Sequence, residues 1–225
     1  PDVIVTSPPH TVPAEAGDWW GDYIVPSGVP DDRYIQAIQT KAGDLRVVHH
    51  ALTYAVTDPD SPLSDSSSDA FLNEYAVGKN ADVYPDGTGR LLEADSRVRF
   101  SFHYHSVGEE VTDATELGMV FYPKGETPDY QLYSRQLGQG GELDIPAGQV
   151  VRHDGYQTMR LPGRLTGFQP HMHTLGTRQC LELIYPTGQR EMINCANFDF
   201  NWHIVYNYEE MSQPVYPAGT TLHVI

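Results

Sequence analysis

Six of the ten histidines fall in three short clusters, and clustered imidazoles are first of all metal ligands. His171 and His173 flank Met172 in Gly167-Phe168-Gln169-Pro170-His171-Met172-His173-Thr174-Leu175-Gly176. In an extended strand, residues i and i+2 share a face, so both rings can reach one ion while Met172 turns away. His103-Tyr104-His105 repeats the spacing at the end of a strongly alternating run. There Val98, Phe100, Phe102 and Tyr104 form the apolar face, and Arg99, Ser101, His103 and His105 form the other. The third cluster, His49-His50 within Val47-Val48-His49-His50-Ala51-Leu52, is harder to use. Adjacent strand residues face opposite ways, so both rings meet one ion only at a bulge, a bend or a strand end. Imidazoles suit copper, zinc and iron, and two or three with an open position make a catalytic rather than a structural site. No Cys₂His₂ or H-E-x-x-H pattern is present. Each cluster taken alone also reads as half-buried or exposed strand histidines with no ligand role.

The elements that must position these residues are strands. Alternation or β-rich composition marks residues 19–25, 33–39, 45–56, 98–107, 117–122, 198–208 and 220–225, with a further strand through His171. Residues 57–70 form a polar loop, and Asp144-Ile145-Pro146-Ala147-Gly148 reads as a turn. No segment carries a sustained helical period and no internal repeat is found. Short strands and turns at this spacing predict an all-β chain of antiparallel sandwich or jelly-roll type. Leu161-Pro162-Gly163 marks a junction, giving one domain over residues 1–160 and the first part of a second over 161–225.

The composition fits that class. The chain of 225 residues is 40% hydrophobic and 11% aromatic, with 14 tyrosines and 17 prolines, which favours β structure over helix or disorder. A net charge of −16 argues against phosphate-mediated nucleic-acid binding and against anionic membrane surfaces. No apolar run approaches the roughly 20 residues that span a bilayer. The chain opens at Pro1 without an initiator methionine or a signal peptide, the mark of a processed chain or an excised piece.

The two cysteines are placed informatively. If Thr187-Gly188 is a two-residue hairpin turn, Pro186 pairs with Gln189, and counting outwards brings Cys180 opposite Cys195. A non-hydrogen-bonded antiparallel pair is close enough for a disulfide, which implies an oxidising, extracytoplasmic compartment. Two reduced, buried cysteines are the alternative.

Taken together, the motifs resemble one family over nearly the whole chain. They are Val47-Val48-His49-His50, Leu72-Asn73-Glu74-Tyr75-Ala76-Val77-Gly78-Lys79-Asn80, Phe102-His103-Tyr104, Phe168-Gln169-Pro170-His171-Met172-His173 and Phe198-Asp199-Phe200-Asn201-Trp202. The chain resembles the copper type II, ascorbate-dependent monooxygenases, and within them the bacterial branch related to the peptidylglycine α-hydroxylating and dopamine β-hydroxylating enzymes. The resemblance implies two jelly-roll domains, each holding one copper across a solvent-filled cleft. His49, His50 and His103 would hold the copper that supplies an electron. His171 and His173, with a methionine, would hold the copper where O₂ is activated and a C–H bond of a small organic substrate is attacked. Ascorbate, or another one-electron donor on a separate or fused protein, would supply electrons, in a periplasmic or secreted setting. A thioether ligand suits Cu(I), the state that meets O₂. His105 matches no family ligand.

Two departures stand out. The family's methionine lies in a late Asp/Glu-Glu-Met segment, and this chain ends at Ile225 before that segment is due. Glu209-Glu210-Met211 looks similar but precedes the Pro217-Ala218-Gly219 turn, so Met211 is a candidate ligand placed early in the family's order. The peptide-amidating branch carries an arginine two residues before its His-x-His; Gln169 stands there, which argues against peptide amidation. Two rivals remain. His103-Tyr104-His105 followed by Glu109 matches part of a cupin motif, although Arg97 stands where that motif needs glycine. The other rival is a β-sandwich that binds copper or builds an assembly without turnover.

Overall fold

Alternating side chains, interrupted by glycine and proline, leave this chain little to build except strands. The computed structural model describes residues 1–57, 70–76, 78–138, 143–199, 202 and 204–225. Most of the 57–70 loop, Val77, and Phe200 and Asn201 of the 198–202 motif lie outside the described residues. Among the described residues the one helical element in the element order is a 3₁₀ turn at Glu210–Ser212, and no helix is long and apolar enough to cross a membrane. The protein is all-β, with mostly antiparallel sheets.

The chain divides into two compact units, Pro1–Arg135 and Gln136–Ile225. In the first, the strands in order are β1 (Val3–Thr6), β2 (His10–Val12), β3 (Trp19–Pro26), β4 (Arg33–Lys41), β5 (Val48–Val56) and β6 (Phe71–Ala76). They are followed by β7 (Asp82–Val83), β8 (Thr88–Leu92), β9 (Arg97–Tyr104), β10 (Val111–Asp113), β11 (Glu116–Phe121) and β12 (Tyr130–Gln131). One sheet runs β1-β11-β4-β8-β12 with β7 beside β4, a second runs β3-β9-β5-β6, and β10 pairs with β2 as a third, two-stranded sheet. Ile35, Ile38, Leu117 and Met119 from the first sheet pack with Val98, Phe100 and Phe102 from the second in one core.

Strand β9 anchors that core, and its inner face is the one its alternation predicts. Val98, Phe100, Phe102 and Tyr104 are each at most 1% exposed. Full burial of a side chain such as Phe100 contributes about 1.5–3 kcal/mol. The Tyr104 hydroxyl would be a buried polar orphan, but it donates to Asp113 Oδ2 at 2.8 Å. On neighbouring β3, Trp19 folds inwards over Gly21 and leaves no room there for a Cβ. Trp20 consequently faces the other way.

The second unit holds β13 (Gly155–Thr158), β14 (Gly163–Arg164), β15 (Gly167–Phe168), β16 (Arg178–Ile184) and β17 (Arg190–Asn197). It ends with β18 (Tyr206–Asn207), β19 (Val215–Tyr216) and β20 (Thr221–Val224). Its main sheet runs β13-β20-β16-β17, over a core of Phe168, Leu181, Leu183, Tyr216, Leu222 and Val224. This unit begins earlier than the expected division at residue 160. Leu137 packs against its core, and β13 pairs with the last strand, Tyr156 opposite His223.

Cys180 and Cys195 stand opposite each other on β16 and β17, 4.0 Å apart at Cα, and are joined in a disulfide. The register differs from the expected one near the turn. Tyr185 N–H donates to the Gln189 carbonyl, so the loop is the three residues Pro186, Thr187 and Gly188. Gly188 supplies the left-handed conformation that such a loop needs, with φ 85°. Further out, Leu181 pairs with Asn194 but Glu182 with Met192, leaving Ile193 as an extra residue. That bulge restores the register in which the cysteines meet.

Candidate metal centre

The first site is built on the face of the β3-β9-β5-β6 sheet opposite the core. In β5 both Val48 and Ala51 belong to the core, three residues apart, whereas a regular strand repeats every two. The ladder accommodates this with a bulge: Val48 pairs with Tyr104 and His50 with His103, and His49 is the extra residue. The bulge sends the two adjacent histidines to the same side, as the adjacent pair required. His50 and His103 are cross-strand partners, and such partners point to one face. One ligand atom from each of His49, His50 and His103 lies within 4.8 Å of the others.

The chemistry of this group fits a metal ion. The Nδ1 atoms of His49 and His50 lie 3.1 Å apart. Two imidazole nitrogens bound to one ion at about 2.0–2.1 Å, with bond angles between square and tetrahedral, stand about 3 Å apart. One proton or one cation can occupy such a gap. The Nδ1 of His103 is buried and without a hydrogen-bond partner. A buried nitrogen in that condition costs free energy unless something binds it. His50 and His103 are 9% and 8% exposed, so two of the three rings are shielded from solvent, while His49 is half-buried.

Two residues that sequence reasoning passed over support this cluster. Asp18, just before β3, lies 2.9 Å from Nε2 of His103 through Oδ2 and 2.9 Å from Nδ1 of His105 through Oδ1. Hydrogen bonds to His105 and then to His103 hold its carboxyl below the usual carboxylate range. The Trp20 ring stacks on His103 with centroids 3.6 Å apart and planes 14° apart, and stands edge-on to His50. The available signal was faint: Asp18-Trp19-Trp20 follows a proline-rich, aperiodic stretch, and its partner strand is 85 residues away.

His105 does not join the three-nitrogen group. It is the first residue past β9, its side chain is 62% exposed, and its ring turns to Asp18. Glu109, the carboxylate of the cupin pattern, pairs instead with the Arg46 guanidinium.

The second pair is built differently. Nε2 of His171 and Nε2 of His173 lie 3.2 Å apart, again a separation that one ion can span. The expected strand through them is absent, because β15 stops at Phe168 and the next strand begins at Arg178. Pro170 offers no N–H to a ladder, and a turn closes from the His173 carbonyl to the Gly176 N–H at 2.7 Å. Met172 folds under that turn, and its side chain occupies the space a Cβ on Gly176 would need. Both histidines are exposed. Met211 sits on the 3₁₀ turn with 97% of its surface in solvent, so its sulfur packs against neither histidine.

Comparison of the chain with protein-family models and with curated proteins returned no match.

Proposed function

We propose that this chain is a copper-binding part of a monooxygenase that hydroxylates a C–H bond of a small organic substrate with O₂ and a one-electron donor such as ascorbate. The observation that carries the reading is the convergence of His49, His50 and His103 on the outer face of one sheet, with Nδ1 of His103 buried and unpartnered. That group supports the ligand set implied by the resemblance to the copper type II monooxygenases. Copper held by these residues, and by His171 and His173, supplies one-electron redox chemistry and the means to activate O₂.

The residues themselves do the positioning. The β5 bulge turns His49 and His50 to one side, and the β9 pairing sets His103 beside His50. Near-complete burial of His103 limits water around its nitrogen, which strengthens any interaction made there. The exposed His171 and His173 leave open space for a small substrate, the complement expected of an open position. The disulfide supports an oxidising, extracytoplasmic setting. An electron-donor domain or protein is the partner this chemistry calls for.

A second reading, a copper-binding sandwich without turnover, draws on the second pair. Only two imidazoles meet there, and Met211 points into solvent. The test is ascorbate-dependent O₂ consumption by the copper-loaded protein across a panel of small organic compounds, against equal free copper and against His171→Ala. Substrate-coupled uptake lost in the variant supports the monooxygenase. Stoichiometric copper binding with uptake no greater than that of free copper would leave the non-catalytic reading standing.

A further inference from the structure

We infer that Asp18 is the positioning residue of the three-histidine site: it fixes which nitrogen of His103 meets the metal, and it links His105 to that site without making His105 a ligand. The inference rests on the copper-site reading above and assigns that site a support.

A carboxylate only accepts hydrogen bonds, so the nitrogen of His103 that faces Asp18 Oδ2 at 2.9 Å carries the proton. The tautomer follows: Nε2–H points to Asp18, and the lone pair falls on Nδ1, the buried atom with no partner. Metal-binding histidines are commonly held in this way, one ring nitrogen on the ion and the other donating to a carboxylate that sets ring orientation and raises ligand basicity. The other carboxylate oxygen accepts from His105 Nδ1 at 2.9 Å. Held at both oxygens, the carboxylate has little freedom to swing away from His103. That gives His105 a physical task despite its 62% side-chain exposure. Trp20, two residues on, covers the flat face of the same ring. Residues 18–20 thus hold His103 by an edge and a face, leaving Nδ1 as the nitrogen open to a metal.

A merely structural role makes a different prediction. The Asp18 side chain is 47% exposed, and ion pairs this open contribute little to folding. Loss of Asp18 should therefore leave the metal-free fold standing while altering the metal.

The experiment uses the full chain with His171→Ala and His173→Ala, so that only the first site is read. Cu(II) affinity is measured by competition against a chelator, the copper environment by electron paramagnetic resonance, and the metal-free fold by thermal unfolding. Asp18→Ala is expected to weaken copper binding by about 10–100-fold and to shift the copper hyperfine splitting, with the metal-free midpoint unchanged. Asp18→Asn, which keeps one acceptor oxygen, falls between it and the parent, and carries the comparison should the alanine variant not fold. His105→Ala changes affinity less than Asp18→Ala does. Parental affinity and spectrum in both Asp18 variants overturn the inference while leaving the copper site intact. A parent that binds no more copper than His103→Ala removes the site itself, and the inference with it.

Discussion

His103 and His50 sit inside a ladder, paired across β9 and β5, whereas His171 and His173 sit past the end of one. The spacings His103-Tyr104-His105 and His171-Met172-His173 are the same in sequence and opposite in outcome. In the first, strand pairing sends His103 into a buried group and leaves His105 outside it. In the second, Pro170 and the 173–176 turn release the chain from any ladder, and both rings converge in solvent. Spacing therefore sets which rings can meet, and pairing sets how firmly they are held. A site held by a sandwich core should be rigid and tight, and one held by a turn should be open and adjustable.

The largest effect expected from this contrast comes from cutting the core beneath the first site. Phe100→Ala should cost about 3–5 kcal/mol of stability, read by denaturant unfolding, and should weaken copper at His49, His50 and His103 in parallel. Undiminished copper affinity in that variant would show that the ladder does not hold the site. Reduction of the Cys180–Cys195 disulfide, 15 residues apart, should remove about 3 kcal/mol from the second unit. Hydrogen exchange then accelerates in residues 178–197 and 221–224 and stays unchanged in β9; acceleration in both would merge the two regions into one cooperative body.

The histidines come next. His103→Ala should lower first-site copper affinity by more than the 10–100-fold typical of a supporting group, whereas His171→Ala should leave that site untouched and empty only the second. Equilibrium dialysis of copper against each variant separates the two, and equal losses would erase the distinction.

The smallest effect concerns the turn that leads into β5. The Arg46 side chain, and then its backbone N–H, hold the Asp44 carboxyl down to about 2 from its ordinary 3.8. A depressed carboxyl stabilises the fold above its unfolded value and loses that contribution as pH falls through the folded one. The melting difference between the parent and Asp44→Asn should persist at neutral pH, shrink below 3.8 and vanish near 2. A difference that stays constant down to pH near 2 would show that the Arg46 contact plays no part.

Much of this was readable from residue types alone. The inner face of β9 follows its alternation, and the requirement for a bulge, bend or strand end at His49-His50 follows from strand periodicity, which the structure meets with a bulge. The cysteine pairing was legible through two offsets that cancel: the loop holds three residues rather than two, and Ile193 bulges to compensate. Strand ends were less legible. Pro170 and the Met172–Gly176 contact override the β-like pattern around His171, and β13 draws residues 155–158 into the second unit through a partner at 221–224. Asp18 could not be found by pattern, because its role depends on a strand remote in sequence and on which imidazole nitrogen faces it.

The extra residue in β5 makes ligand number separable from packing. Val48 and Ala51 face the core from three positions apart, so removing one histidine between them would return the strand to an even count with both core contacts in phase. One imidazole would still face outwards. Related chains could therefore shift between a three-nitrogen and a two-nitrogen site through a single-codon deletion, without disturbing the sandwich. Substitution at His49, in contrast, would keep the kink and leave it empty of purpose. Length at this one point, more than residue identity anywhere else in the strand, decides how many hands the protein can lay on an ion.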